Sequence, residues 1–246
     1  MSARLRSRTL DRAAGVLLGG AAGDALGVPY EYGSRAQPGP GEHARMLGGG
    51  LGGFPPGGWS DDTAMACAVL EVAAQGADLR SEAALDRVAA GFRRWYDSGP
   101  TDVGVQTRRV LGGVGTPGAA PMRAMAAELH ARTGRTAGTD TVAAIAGALL
   151  GAKYGGSAVP ARWRRMLHGW PGLRAADLTR LAVLAVRGGR TDPEGWPLAA
   201  TLPSYRGART GTVAHPDDPG VLLGAVGSRR PGVADAVVSL CRLGAA

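Results

Sequence analysis

Through most of the first 190 residues, apolar side chains recur every three or four positions and rarely alternate, which predicts helices rather than strands. The spacing predicts helices over residues 10–26, 63–75, 81–98, 103–111, 122–130, 141–154, 160–167 and 175–186, joined by glycine- and proline-rich loops. Ser81 stands where an N-cap belongs, and Gly76 where the preceding helix should stop. The helix over 141–154 is apolar on every side, so it is expected to be buried, with Tyr154 as a packed core tyrosine. The loop over 35–58 carries Pro38, Pro40, Pro55, Pro56 and the run Gly48-Gly49-Gly50, which regular elements rarely tolerate. After Gly188-Gly189 the pattern changes. The remainder is rich in Pro and Gly, with short apolar bursts at 221–223 and 236–240 that read as strands. The predicted architecture is all-α: a compact orthogonal multi-helix bundle over 1–188, followed by a loop-rich extension over 189–246.

Composition narrows the class. The chain has 246 residues, 45% hydrophobic, enough for a sizeable core, but only 5% are aromatic and 41 are Gly. Such a core is built from Ala, Leu and Val, and its helices approach closely. The net charge of +8 is almost entirely arginine, scattered in short clusters without interleaved aromatics, so no nucleic-acid partner is expected. Two cysteines far apart, Cys67 and Cys241, make neither a disulfide framework nor a zinc site. The longest uncharged helical run falls short of the ~20 residues that cross a bilayer, so no membrane partner is expected. No secretory leader is legible at the start, which points to the cytoplasm.

The candidate chemistry sits at helix starts. Ser60-Asp61-Asp62-Thr63 opens one helix directly after a glycine-rich loop, and Thr139-Asp140-Thr141 opens another. Capping accounts for an acidic or hydroxyl group at each start. Hard cations such as Mg²⁺ select the same oxygen donors, one or two carboxylates completed by waters and substrate oxygens. Both readings stay open on the residues alone. Asp24 reads as a helix-terminal hydrogen-bond acceptor, and Glu31 stands before the glycine-rich loop, where a general base would sit. The four histidines lack metal-ligand spacing and read as structural.

Four segments in order carry a family resemblance: residues 19–31 (Gly-Gly-Ala-Ala-Gly-Asp-Ala-Leu-Gly-Val-Pro-Tyr-Glu), 58–63 (Gly-Trp-Ser-Asp-Asp-Thr), 102–108 (Asp-Val-Gly-Val-Gln-Thr-Arg) and 139–155, from Thr139-Asp140-Thr141 to Lys153-Tyr154-Gly155. Together they resemble the ADP-ribosylglycohydrolase family, of the dinitrogenase-reductase-activating type. The resemblance implies an all-helical enzyme that holds two Mg²⁺ or Mn²⁺ ions. Such an enzyme hydrolyses the N- or O-glycosidic bond between ADP-ribose and a protein side chain. By that resemblance Ser60, Asp61, Asp62, Asp140 and Thr141 bind metal, and Glu31 and Asp102 assist catalysis. The implied partner is an ADP-ribosylated protein or a small ADP-ribosyl compound.

The sequence also departs from the family pattern. Where the second cluster resembles Asp-x-Asp-Thr, the first position is Gly138, one metal ligand fewer. Only about thirty residues separate Arg108 from Thr139, where the family has a long helical stretch, as if a central block had been removed. An impaired family member serving as a binding or structural protein is therefore the alternative. The end, Val237 to Arg242, resembles the first strand of a phosphatase-like domain, without the loop that would give phosphatase activity.

Overall fold

The computed structural model describes residues 7–33, 35–134, 142–192, 195–198, 212–215 and 218–224. The chain divides into two units, Met1–Pro193 and Glu194–Ala246. In the first unit the order is α1 (Ser7–Gly27), a 3-10 turn (Val28–Gly33), α2 (Asp61–Ala73), α3 (Glu82–Asp97), α4 (Val105–Gly113), α5 (Ala119–Thr133), α6 (Val142–Tyr154), a short 3-10 turn (Gly156–Ala158), α7 (Ala161–Met166), strands β1 (His168–Gly169) and β2 (Leu173–Arg174), and α8 (Ala175–Val186). The two strands form a minimal antiparallel ladder, and helices make up nearly all the rest. The fold is all-α. Among the described residues, no helix is long and apolar enough to cross a membrane.

At the centre lies α1, against which α2, α6 and α8 pack. Leu17, Leu18, Ala21, Ala22 and Ala25 recur at helical spacing and face a core completed by Met46, Trp59, Cys67, Leu167 and Leu178. A second core, around Ala64, Trp95, Val103, Leu111 and Met122, joins α2 to α3, α4 and α5.

The contact between α1 and α6 is made by bare backbone. Gly15, Gly19 and Gly23 recur every four residues on α1, and Ala143, Gly147 and Gly151 do so on α6, so each set lies along one helix face. A Cβ at Gly19 would strike the Gly147 carbonyl, and one at Gly151 would strike that of Gly15. Only glycine lets two helices come this close, with Cα–H groups of one against carbonyls of the other.

Local chemistry sets the helix ends. At the start of α3 the Ser81 hydroxyl accepts from the Ala84 amide (3.3 Å), and at the end of α2 Gly76 takes the left-handed conformation (φ 80°). Helix α2 begins at Asp61, two residues before the predicted start, because its cap comes from another helix.

One expectation is corrected. The helix predicted to be buried, α6, is buried on one face only: Ile145 is 56% exposed, Leu149 66%, Leu150 57% and Tyr154 57%. Its glycine face meets α1, but no described element covers the opposite side. Tyr154 is accordingly not a core residue; the Lys153 ammonium lies 4.9 Å from its ring centre.

In the second unit β3 (Thr212–His215) pairs antiparallel with β4 (Asp218–Gly224), with Val213 opposite Leu223 and Ala214 opposite Leu222. β4 contains the apolar burst predicted as a strand at 221–223. The strand expected at 236–240 and the phosphatase-like resemblance lie outside the described residues.

Candidate active site

The site is organised by Asp24, in the last turn of α1. One carboxylate oxygen accepts from the Ser60 amide (3.0 Å) and the Ser60 hydroxyl (2.8 Å); the other accepts from the Thr63 amide (3.0 Å) and the Thr63 hydroxyl (2.6 Å). Asp24, Ser60 and Thr63 are all buried. Burial pushes the Asp24 carboxyl above its ordinary range, and the four donors oppose that by stabilising the anion.

These bonds decide how the start of α2 is capped. Ser60 occupies the N-cap position of α2, but its own hydroxyl does not cap the helix. Asp24, reaching across from α1, accepts the amides of the cap residue and of the third helical residue instead. With the end of α2 capped from outside, the Asp61 and Asp62 carboxylates are not needed for that purpose. The Ser60 hydroxyl donates its hydrogen to Asp24, which leaves its lone pairs to accept or to ligate.

Two further acids meet this helix start. An Asp61 oxygen accepts from the Gly104 amide at 3.3 Å, tying α2 to the N-cap of α4 and to Asp102 two residues upstream. Glu31, on the turn after α1, is half-buried, and its carboxyl is pushed from 4.5 up to about 7. Burial is the largest cause, followed by the negative charges of Asp102, Asp24, Asp61 and Asp62. The structure thus brings Glu31, Asp61, Asp62 and Asp102 into one electrostatic neighbourhood, from segments up to 71 residues apart.

Asp140, Thr141 and Gly138 lie outside the described residues. The helix they precede enters beside Gly23, where a Cβ would meet the Ala143 carbonyl, one residue from Asp24. Among the described residues, no group of three His, Cys, Asp or Glu side chains converges as a metal site. Along α6 runs an apolar cleft of about 890 Å³ between α1, α6 and the two 3-10 turns, with Glu31, Tyr30 and Trp163 in its wall. On the other side of α6 a smaller groove of about 440 Å³ reaches Asp62 and Thr63. His168 is structural: its ring bonds the Met166 carbonyl (2.7 Å), and its own carbonyl accepts from the Trp59 amide (3.2 Å).

Sequence reasoning did not find the Asp24–Ser60–Thr63 arrangement, which no local spacing signals across 36 to 39 residues. It also missed both clefts.

The family model described as ADP-ribosylglycohydrolase matches residues 5–138 and 135–193, more than half of the chain. The chain belongs to the ADP-ribosylglycohydrolase family. It is 38% identical over 103 residues to the ADP-ribosyl-[dinitrogen reductase] glycohydrolase of Rhodospirillum rubrum, covering 40% of this chain and 33% of that protein. It is 35% identical over 116 residues to the ADP-ribosylarginine hydrolase Tri1 of Pseudomonas putida (strain GB-1), covering 43% of this chain and 29% of that protein. A solved chain described as an ADP-ribosylglycohydrolase-related protein complex aligns with 75% of this chain and all of its own, at 22% identity and a TM-score of 0.42, too loose a likeness to carry an argument. The chain spans about a third of the length of the curated relatives it matches. In the ADP-ribosylglycohydrolase match, the first stretch contains Glu31, Ser60, Asp61, Asp62 and Asp102, and the second contains Asp140 and Thr141. The two stretches overlap at 135–138, within the short interval between Arg108 and Thr139.

Proposed function

We propose that this chain hydrolyses the glycosidic bond between ADP-ribose and a protein side chain. One observation carries the reading. Asp24 takes over the capping of α2, which leaves Asp61 and Asp62 beside Glu31 and Asp102, and burial together with the charges of these acids raises Glu31 to about 7. The relatives, an ADP-ribosyl-[dinitrogen reductase] glycohydrolase and an ADP-ribosylarginine hydrolase, indicate the kind of substrate: a protein carrying ADP-ribose, on arginine in the second case.

The donor set suits a hard divalent cation in kind, with a hydroxyl and carboxylates and neither thiol nor imidazole among them. Ser60, Asp61 and Asp62 would hold it together with Asp140 and Thr141, as Mg²⁺ or Mn²⁺, one ion or two. When bound, such an ion supplies Lewis-acid polarisation and lowers the pKa of a ligated water. The protein side chains do the rest. Glu31, titrating near neutral pH, takes a proton from the attacking water as its oxygen bonds the anomeric carbon; the bond from that carbon to the leaving nitrogen breaks, and the nitrogen takes up the proton that Glu31 accepted. Asp102 keeps Glu31 basic through like-charge repulsion, and Asp24 holds Ser60 in place. Release of ADP-ribose from a mono-ADP-ribosylated arginine substrate, supported by Mg²⁺ and abolished by EDTA, is the test. No release from a folded chain would reject the reading.

A second reading is favoured by two observations: no three-carboxylate group converges among the described residues, and the chain spans only a third of its relatives. On that reading the chain binds ADP-ribosyl groups without turning them over. Calorimetric titration separates the two, since tight Mg²⁺ uptake supports the enzyme. Action in the cytoplasm is proposed with the enzyme; the buried free thiol of Cys67 suits a reducing compartment.

A further inference from the structure

The residue before the acidic cluster is held from outside its own segment. Trp59 directly precedes Ser60, the N-cap position of α2, and is 2% exposed. Its amide donates to the His168 carbonyl (3.2 Å), and the His168 amide donates to the Gly57 carbonyl (3.2 Å), so residues 57–59 run alongside β1. Its indole belongs to the core that contains Met46, Cys67, Leu167 and Leu178. Among the described residues, Trp59 Nε1 is the buried side-chain nitrogen or oxygen without a hydrogen-bond partner. An unmet buried donor is a cost, so packing, and not hydrogen bonding, sets where this ring lies.

The ring lies on Gly169 of β1. A Cβ there would land on the indole, and the three atoms it would meet first, Nε1, Cε2 and Cδ1, all belong to Trp59. The Gly169 backbone is outside the left-handed region, so it is the indole and not the local conformation that demands glycine. Gly169 is itself tied into the hairpin: its carbonyl accepts from the Gly172 amide (2.7 Å), and it pairs with Leu173 of β2.

We propose that Gly169 is a positioning residue for the start of α2: acting through Trp59, it sets where Ser60, Asp61 and Asp62 stand. A ring wedged between the hairpin and a close-packed core has one place to lie. One peptide bond further on, the Ser60 amide and hydroxyl then reach Asp24 at 3.0 and 2.8 Å. In Gly169→Ala the indole must shift. The core that holds it includes Cys67 and Leu178, both fully buried, so the displacement passes into the backbone at 58–60 and the Ser60 bonds lengthen. The consequence for function rests on the metal reading given above: a hydroxyl and two carboxylates displaced by about 1 Å match a hard cation less well.

Hydrogen exchange of the metal-free full chain, resolved by amide, reads this placement directly. Gly169→Ala should speed exchange of the Ser60 and Thr63 amides about tenfold and leave the amides of α3 as in wild type. Trp59→Phe alone leaves a gap above Gly169 and should speed the same two amides about threefold, a result that does not depend on Gly169→Ala folding. Because the phenyl ring lacks the edge that the added methyl would strike, Gly169→Ala in the Trp59→Phe background should change them by less than about twofold. In calorimetry Gly169→Ala should weaken Mg²⁺ uptake about tenfold, and adding Trp59→Phe should recover most of that loss. Unchanged exchange at Ser60 and Thr63 in either single variant overturns the proposal, because the hairpin or the core then yields instead. Equal acceleration in α3 overturns it as general destabilisation, and so does an effect of Gly169→Ala undiminished by Trp59→Phe. A wild-type chain that takes up no Mg²⁺ rejects the metal reading of the cluster, while the exchange of Ser60 and Thr63 still decides the role of Gly169.

Discussion

A carboxylate on one helix that accepts four hydrogen bonds from the start of another performs three tasks at once. Asp24 closes the end of α2, locks α1 against it, and fixes the orientation of Ser60. Asp24→Ala leaves two buried amides and two buried hydroxyls without an acceptor, and we expect a loss of about 3 kcal/mol in urea denaturation. The other acid of consequence is Glu31, whose carboxyl keeps its proton in the folded protein up to about 7, against 4.5 ordinarily. The folded state then holds a proton the unfolded chain has released, so the stability this group contributes is present at acid pH and lost as pH rises through 7. In EDTA, Glu31→Gln should raise the melting temperature at pH 8 and change it little at pH 5. An equal gain at both values would mean that folding does not raise the Glu31 carboxyl. Cys67 is fully buried, and burial, with the charges of Glu71 and Asp24, pushes its thiol up to about 12. It should resist alkylation at pH 8 in the native protein and react fully in denaturant.

Helices α1 and α6 are held at a distance that side chains forbid. Because a Cβ at Gly147 would land on the Gly19 carbonyl, Gly147→Val must separate the two helices. We expect about 3 kcal/mol of destabilisation, read as a lowered midpoint in urea, with α3 and its Ser81 cap unaffected. These glycines, four residues apart on each helix, were legible in the sequence as a sign of close packing, but their partners were not. The same limit explains the error on α6. Its composition describes a helix that should be covered, and periodicity does not say whether the covering surface lies in the same chain.

For the molecule as a whole, the central prediction is that Asp61→Ala abolishes ADP-ribose release while leaving the urea midpoint within about 0.5 kcal/mol of wild type. Retained turnover would remove the first acidic cluster from the mechanism. Much of the fold was legible in the sequence: helices such as α3 and α8, the end of α2 at Gly76, and the loop over 35–58. Helix periodicity, caps and glycine stops act within a few residues and are written where they act. The types of the site residues were legible for the same reason, as oxygen-bearing groups at helix starts. What they do was not. Ser60-Asp61-Asp62-Thr63 read first as a cap and second as a ligand set, and only the structure shows that Asp24, 36 residues away, supplies the cap. The elevated pKa of Glu31 arises from its burial in the folded chain and from acids on other segments, and the exposure of α6 from which surfaces the chain brings to it. Local sequence determined which elements form, because propensity and capping are short-range; tertiary structure alone decided which charges meet and which faces stay open, because both depend on contacts between distant parts of the chain.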